Sequence, residues 1–192
     1  MLNWVHAVGL AKAHTQTNNQ ELECLRRYSQ GRKTALEIGT HMGVSARFIA
    51  EGLDPAGQLF CVDPWEPRRG RENPCWTICR RELQRNGVIS RVLFVQGLSH
   101  KVENILPVEF DFIFIDGDHS YEGLELDWGI VGRRAAAGAI VCLHDTTVPE
   151  EEPYRMLGAV TFFNEVIRQD PRFRMIECCY SMNVLRRISQ GE

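Results

Sequence analysis

The stretch FDFIFIDGDHSY, residues 110–121, constrains this chain more than any other. Phe110 to Ile115 form a largely apolar run with Asp111 within it, the pattern of a strand buried on both faces of a parallel sheet. The run breaks into Asp116, Gly117, Asp118 and His119. A core strand gains nothing by ending in two carboxylates and an imidazole, because unpaired buried charge is costly. In an open α/β sheet, ligands bind in the crevice at the carboxyl ends of the strands. Asp116 and His119 are therefore the first candidates for chemistry. The plainer alternative is a solvated His119. Asp118 is expected to cap the helix that follows.

The rest of the chain alternates around this strand. Asn18 to Gln30 reads as a helix, with Leu22, Leu25 and Tyr28 on one face and Gly31 as its stop. Strands are expected at 34–38, 57–65, 91–97, 110–115 and 139–145, with helices at 44–53, 75–86, 99–106, 122–137 and 156–169. Two last strands, FRMIECC and MNVLRRI, follow each other without a helix and predict an antiparallel hairpin at one edge. Such alternation gives an α/β fold with a mainly parallel sheet and helices on both faces. With 192 residues and no linker or repeat, one domain over 1–192 suffices, made of a helical segment 1–33 and a core 34–192.

Charge and composition narrow the function classes. Lys and Arg number 22 and Asp and Glu 25, a net charge of −3, which argues against nucleic-acid or membrane-surface partners. No apolar run is long enough to span a bilayer, and the first residues lack a basic region and a long apolar stretch of signal type, so a cytoplasmic location is expected. Of seven cysteines, Cys61 and Cys142 fall in core strands as small hydrophobes. Cys75 and Cys79 share a helix face, but no second pair has ligand spacing.

Glu37, Gly39 and Gly43 form E-x-G-x-x-x-G after the first strand. The glycines let backbone approach a ligand, and the helix start beyond offers free N–H groups. Asp63 ends the second strand, where an acid is suited to gripping ribose hydroxyls. Together these predict a nucleoside cofactor. A dinucleotide turn has glycine where this chain has Glu37. A carboxylate there repels a pyrophosphate but attracts the amino group of a methionine moiety, which favours S-adenosylmethionine over NAD. Trp65 has two readings, packing on adenine or covering the core. Gly97, Leu98 and Ser99 end the third strand near the expected adenine edge.

ALEIGTHMG, FCVDPW, FDFIFIDGDHSYEG and AIVCLHDT together resemble the class I S-adenosylmethionine-dependent methyltransferases. DGDHSYEG with LHDT is similar to the small metal-dependent O-methyltransferases acting on sugars and natural products, of the macrocin, mycinamicin and mycobacterial polysaccharide types. The resemblance spans roughly residues 34–168. It implies a Rossmann-like sheet of order 3-2-1-4-5-7-6 with the last strand antiparallel. It also implies Glu37, Gly39, Thr40, Gly43, Ser45, Asp63 and Ser99 as cofactor residues, and Asp116 at the strand end is a further cofactor candidate.

Methyl transfer to a hydroxyl requires that the hydroxyl proton leave. A divalent metal lowers the hydroxyl pKa and a nearby imidazole takes the proton. The resemblance carries Asp116 and Asp145 over as metal ligands and His119 as the general base, and His144, beside Asp145 at the end of the fifth strand, is the third candidate ligand. The chain departs from the family at His144, where an acid is usual. Magnesium prefers oxygen donors, while imidazole suits manganese and softer ions. His144 is thus either a ligand of a softer ion or an orienting group. A capping pair at His144 and Asp145, and a base acting without metal, remain the other readings.

The expected acceptor is a small molecule or glycoside, bounded by Pro67–Pro74, Tyr121–Gly123 and Thr146–Tyr154, with Arg68, Arg69 and Arg71 available to an anionic group. The N-terminal segment, with Trp4 and His6, has two readings: a cover over the site or a homo-oligomer contact. A binding protein without catalysis and an NAD-linked oxidoreductase are the competing classes.

Overall fold

The computed structural model describes residues 13–67, 69–151 and 157–189. Trp4, His6, Arg68 and part of the 146–154 segment lie outside them. In chain order the elements are α1 (Asn19–Ser29), β1 (Thr34–Ile38), α2 (Val44–Gly52), β2 (Gln58–Asp63), α3 (Pro74–Arg85), β3 (Val92–Gln96), α4 (Ser99–Val102), β4 (Phe110–Ile115), α5 (Tyr121–Arg134), β5 (Ala135–Leu143), α6 (Gly158–Glu165), β6 (Phe173–Cys179) and β7 (Met182–Arg187).

The strands form one sheet of order β3-β2-β1-β4-β5-β7-β6. β1 to β5 run parallel, and β7 lies antiparallel to both β5 and β6. The expected topology is therefore present. Successive side chains of a strand point to opposite faces, and the core divides accordingly. Leu36, Ile113, Ile115, Val141 and Leu143 pack beneath α5 and α6, with Trp128, Phe162 and Phe163. Ala35, Phe112, Phe114, Ile140 and Cys142 pack beneath α1, α2 and α3, with Leu25, Ile49 and Leu83. Phe112 and Phe114 are fully buried. Truncating either to alanine is expected to cost about 3–5 kcal/mol.

Local chemistry sets the element ends. α1 begins with a capping box, in which the Asn18 side chain accepts from Glu21 N and the Glu21 carboxylate accepts from Asn18 N. α5 is capped by Ser120, whose hydroxyl accepts from Gly123 N at 3.0 Å. Asp118 does not cap it, because its Oδ1 accepts the Ser120 N–H one step earlier, at 2.9 Å.

The Ala135–Ala137 run, expected to extend that helix, instead opens β5. Ala135 pairs with Phe110 of β4, across a register shift that ends at Phe112. Tertiary pairing here overrides the high helix propensity of alanine. The helix expected at 99–106 shortens to α4 followed by a 3₁₀ turn at Glu103–Ile105. The one expected at 156–169 shortens to α6 and a 3₁₀ turn at Ile167–Gln169.

The parallel register brings four strand ends level. Ile38 is paired with Val62 and with Ile115, and Ile115 with Leu143. The next residues, Gly39, Asp63, Asp116 and His144, therefore share one edge. The ladder continues into them through Gly39 N to Val62 O at 2.9 Å, Asp116 N to Ile38 O at 2.8 Å and His144 N to Ile115 O at 3.0 Å. No described helix is long and apolar enough to cross a membrane.

Candidate active site

A cavity of ≈ 780 Å³ opens along this edge. Its size suits a cofactor-sized ligand. Gly39, Thr40, Gly43, Ser45, Asp63, Ser99, Asp116 and His119 all line it. The turn after β1 needs glycine twice. Gly39 has φ +90° and a Cβ there would lie 2.1 Å from the Asp116 carbonyl oxygen, while Gly43 has φ +79° and a Cβ would meet Cys79 Sγ at 2.7 Å. These contacts let β1, β4 and α3 close tightly around the turn. Asp63 Oδ2 accepts from His41 N and Oδ1 from Trp65 N, both at 2.8 Å, which fixes the carboxylate at the rim.

Glu37 and Trp65 do not line the cavity. Glu37 is fully buried behind the turn, and burial pushes its carboxyl up to about 7. The hydroxyls of Ser45 and Thr40 and the Cys61 thiol counter part of that rise. Glu37 Oε1 and Thr40 Oγ1 nevertheless make no well-directed hydrogen bond. A buried acceptor and a hydroxyl left over behind a cavity wall are unusual. Trp65 takes its core reading. It is 3% exposed, stacks edge-on against Trp76 and Phe94 at 4.7 and 5.9 Å, and donates Nε1–H to His41 O at 3.0 Å. Its backbone lies in the left-handed region, at φ +35°.

At the β3 end of the cavity, Ser99 donates to Asp127 Oδ1 at 2.5 Å. Asp127 lines the cavity, is 4% exposed, and burial raises its carboxyl to about 6. Sequence reasoning missed Asp127. Its signal is a lone acid on the buried stripe of α5, between Leu124 and Trp128.

Beside the cavity four titratable side chains converge. His119 Nε2 lies 3.1 Å from Asp116 Oδ1, and its Nδ1 lies 3.0 Å from Asp145 Oδ2. His144 Nδ1 lies 2.8 Å from the same Asp116 oxygen and 3.6 Å from Asp145 Oδ2. The close His144–Asp116 approach is an ion pair whose ring nitrogen is not aligned as a hydrogen-bond donor. Asp145 has φ +53°, a strained backbone that aims its carboxylate back at the histidines.

The bond to Asp116, joined by that to Asp145, lifts the His119 imidazole to about 9. Burial works against a charged His144, but the nearby carboxylates of Asp116 and Glu21 outweigh it and lift that ring to about 10. Burial likewise opposes ionisation of Asp116, and the two histidines reverse this and hold it below its usual range.

Donor atoms of Asp116, His119 and His144 come within 4.8 Å of one another, a spacing that admits a divalent ion. This set differs from the expected one. Asp145 stands behind His119, and His119 occupies a place given in advance to a base alone. The two imidazoles and Asp116 offer two nitrogens and an oxygen, which suits manganese, iron or zinc better than magnesium. Among the described residues expected to bound an acceptor, Gly123 lines the cavity, whereas Arg69 and Arg71 do not.

A further acid was missed. Glu21 of α1 is 1% exposed, and its Oε2 lies 3.4 Å from His144 Nε2. Its carboxylate also holds the turn between β6 and β7, accepting from Ser181 N at 3.1 Å and Ser181 Oγ at 2.6 Å. The N-x-x-E spacing reveals the cap, but nothing in it reveals that this cap faces a histidine far along the chain.

Residues 36–146, more than half of the chain, match the methyltransferase-domain family. The catechol O-methyltransferase of Mycobacterium tuberculosis is 31% identical over 110 residues, covering 57% of this chain and 46% of that protein. The chain thus matches under half the length of that relative. In fold it is similar to an O-methyltransferase from Bacillus cereus in complex with S-adenosylhomocysteine, at TM-score 0.69 and 21% identity over 98% of this chain and 88% of the other. It is also similar to TomG from Streptomyces achromogenes, in complex with S-adenosylmethionine, at TM-score 0.68 and 18% identity over 96% and 86%. With a sheet of this order, a cavity at its carboxyl edge and a family match that spans β1 to the end of β5, the chain belongs to the methyltransferase-domain family and has the class I fold of its S-adenosylmethionine-dependent members.

Proposed function

We propose that this chain is an S-adenosylmethionine-dependent O-methyltransferase of the cytoplasm, acting on a hydroxyl of a small molecule or glycoside with help from a divalent metal ion. The observation that carries the reading is that Asp116 and His119 belong both to the cofactor cavity and to the acid–imidazole cluster. A nucleoside cofactor and an ionisable hydroxyl would therefore meet at one strand end. Seven free cysteines suit a reducing compartment.

In this reading Asp63 grips the ribose and the Gly39 turn lies against the amino-acid portion. Asp116, His119 and His144 are the candidate donors to the metal, with Asp145 supporting His119. A bound divalent ion would lower the pKa of the acceptor hydroxyl. His119 is held as an imidazolium by Asp116 and Asp145. An imidazole nitrogen bound to an ion cannot also take a proton, so His119 serves as the base only where the ion is held by Asp116 and His144 and His119 stays outside its shell.

A second reading is a metal-independent methyltransferase, favoured by the fact that the two imidazoles already balance the carboxylates.

One set of experiments separates these. Calorimetry with S-adenosylhomocysteine and NAD tests the cofactor, and binding of NAD alone would refute the methyltransferase. Labelled S-adenosylmethionine, offered with catechols and glycosides before and after exhaustive chelation, tests the rest. Loss of turnover on chelation, restored by manganese better than by magnesium, is expected. Full turnover after chelation refutes the metal and leaves the second reading. His119→Ala should slow turnover by roughly a hundred- to ten-thousandfold while affinity for S-adenosylhomocysteine stays within about twofold. Turnover within a few fold of wild type would move the base elsewhere.

A further inference from the structure

His144 is a buried imidazole with a carboxylate at each nitrogen. Nδ1 faces Asp116 Oδ1 at 2.8 Å, and Nε2 faces Glu21 Oε2 at 3.4 Å. A neutral imidazole carries one proton, and the nitrogen without it is the only one able to donate a lone pair. Which nitrogen that is depends on the hydrogen bond made by the other.

Glu21 is built to hold its end. Its carboxylate accepts from Asn18 N at 2.9 Å and from Ser181 N and Oγ at 3.1 and 2.6 Å. These bonds tie it to α1 and to the β6–β7 turn. A helix cap needs one carboxylate oxygen at an exposed helix start. Here both oxygens are engaged in a residue 1% exposed, beside a histidine 3% exposed. Burying a carboxylate so fully is costly without strong donors around it.

We propose that Glu21 is a positioning residue that keeps the proton of His144 on Nε2, so that Nδ1 is the nitrogen offered to a divalent ion at Asp116. The proposal rests on the metal reading above. Carboxylate–histidine–metal arrangements fix both ring orientation and tautomer, and losing the outer carboxylate typically costs about ten- to a hundredfold in metal affinity. The N-terminal helix and the β6–β7 turn would then take part in metal affinity without touching the ion.

The test is manganese binding to the full chain, followed by calorimetry. Glu21→Gln should weaken binding about ten- to a hundredfold. In a His144→Asn background, which offers oxygen in place of the ring, Glu21→Gln should change affinity by less than about twofold, because there is no tautomer left to set. Equal losses in both backgrounds would reduce Glu21 to a scaffold and overturn the proposal, as would unchanged affinity in the single variant.

A measurement on the wild-type chain stands even where a variant fails to fold. In zinc-loaded protein, imidazole ¹⁵N shifts should show Nδ1 of His144 bound and Nε2 protonated; the reverse pattern overturns the proposal. Wild-type protein that binds neither manganese nor zinc would refute the metal reading itself, and this inference with it.

Discussion

Replacing Glu37 with Gln should make the folded protein less sensitive to pH. Glu37 is fully buried and its carboxyl is raised by burial to about 7 from an ordinary value of 4.5. The folded state therefore holds this proton more tightly than the unfolded chain does. Stability linked to the group is complete below about pH 4.5 and is lost as pH rises through about 7, because the unfolded chain ionises first. One pKa unit is worth 1.36 kcal/mol, so the loss across that window is about 3 kcal/mol. Gln cannot ionise and fills nearly the same space.

Urea denaturation at intervals from pH 4 to 8 measures this. At a urea m-value of roughly 2 kcal/mol/M, the difference between variant and wild-type midpoints should grow by about 1.5 M from the acid end to the alkaline end. Taking the difference between the two proteins cancels the titration of His119 and His144, which is common to both. A difference that stays flat across the range would mean that Glu37 ionises normally, and the argument from its burial would fail. If the acid instead serves the amine of the cofactor, the same variant should bind S-adenosylhomocysteine more weakly. The stabilised variant would then be the poorer binder, a trade expected where a polar group is buried for function.

Asp63→Ala removes a carboxylate placed for ribose and also the acceptor for His41 N and Trp65 N, so affinity for S-adenosylhomocysteine should fall about ten- to a hundredfold by calorimetry. Asp63→Asn keeps an acceptor for the loop and should recover stability more than affinity; equal affinity in all three proteins would sink the assignment. Gly39→Ala drives a Cβ to 2.1 Å from the Asp116 carbonyl at φ +90° and should cost about 2–6 kcal/mol, measured as a fall in the urea midpoint. Gly87→Ala, at φ +72° with nothing within 4 Å, carries only the backbone cost of about 1–2 kcal/mol, so equal losses at the two positions would refute the close-packing argument.

The element sequence was legible because a doubly covered sheet writes itself in runs of Ile, Val, Leu and Phe broken by Gly, Pro and charge. Phe110–Ile115 and Val92–Gln96 are found this way. Strand order was not legible from the pattern. The order of β7 and β6 came only from resemblance, since two adjacent strands without a crossover can pair in either place. Boundaries failed where pairing competes with propensity. Ala135 to Ala137 look helical, yet Ala135 opens β5 against Phe110. No local property of three alanines records the empty place on the neighbouring strand.

The site shows the same division. Groups that follow a strand directly, such as Gly39, Asp63, Asp116 and His144, could be assigned because the parallel register carries every strand end to one edge. Groups that reach the edge from elsewhere could not. Glu21 comes from a helix before the sheet, Ser181 from the turn between the last two strands, and Asp127 from the middle of α5. Their common mark is a polar side chain on a face that otherwise packs against the core. A buried charge of that kind is tolerated only with partners, so it implies a polar neighbour even when the sequence does not say which. The partner of Glu21 is His144, a position where the sequence resemblance led to an acid being expected. A histidine deep in the fold needs an acceptor for its second nitrogen, and an acid in its place would not. The departure at 144 and the buried acid at 21 are thus two halves of one feature, and the double substitution at these positions tests them together.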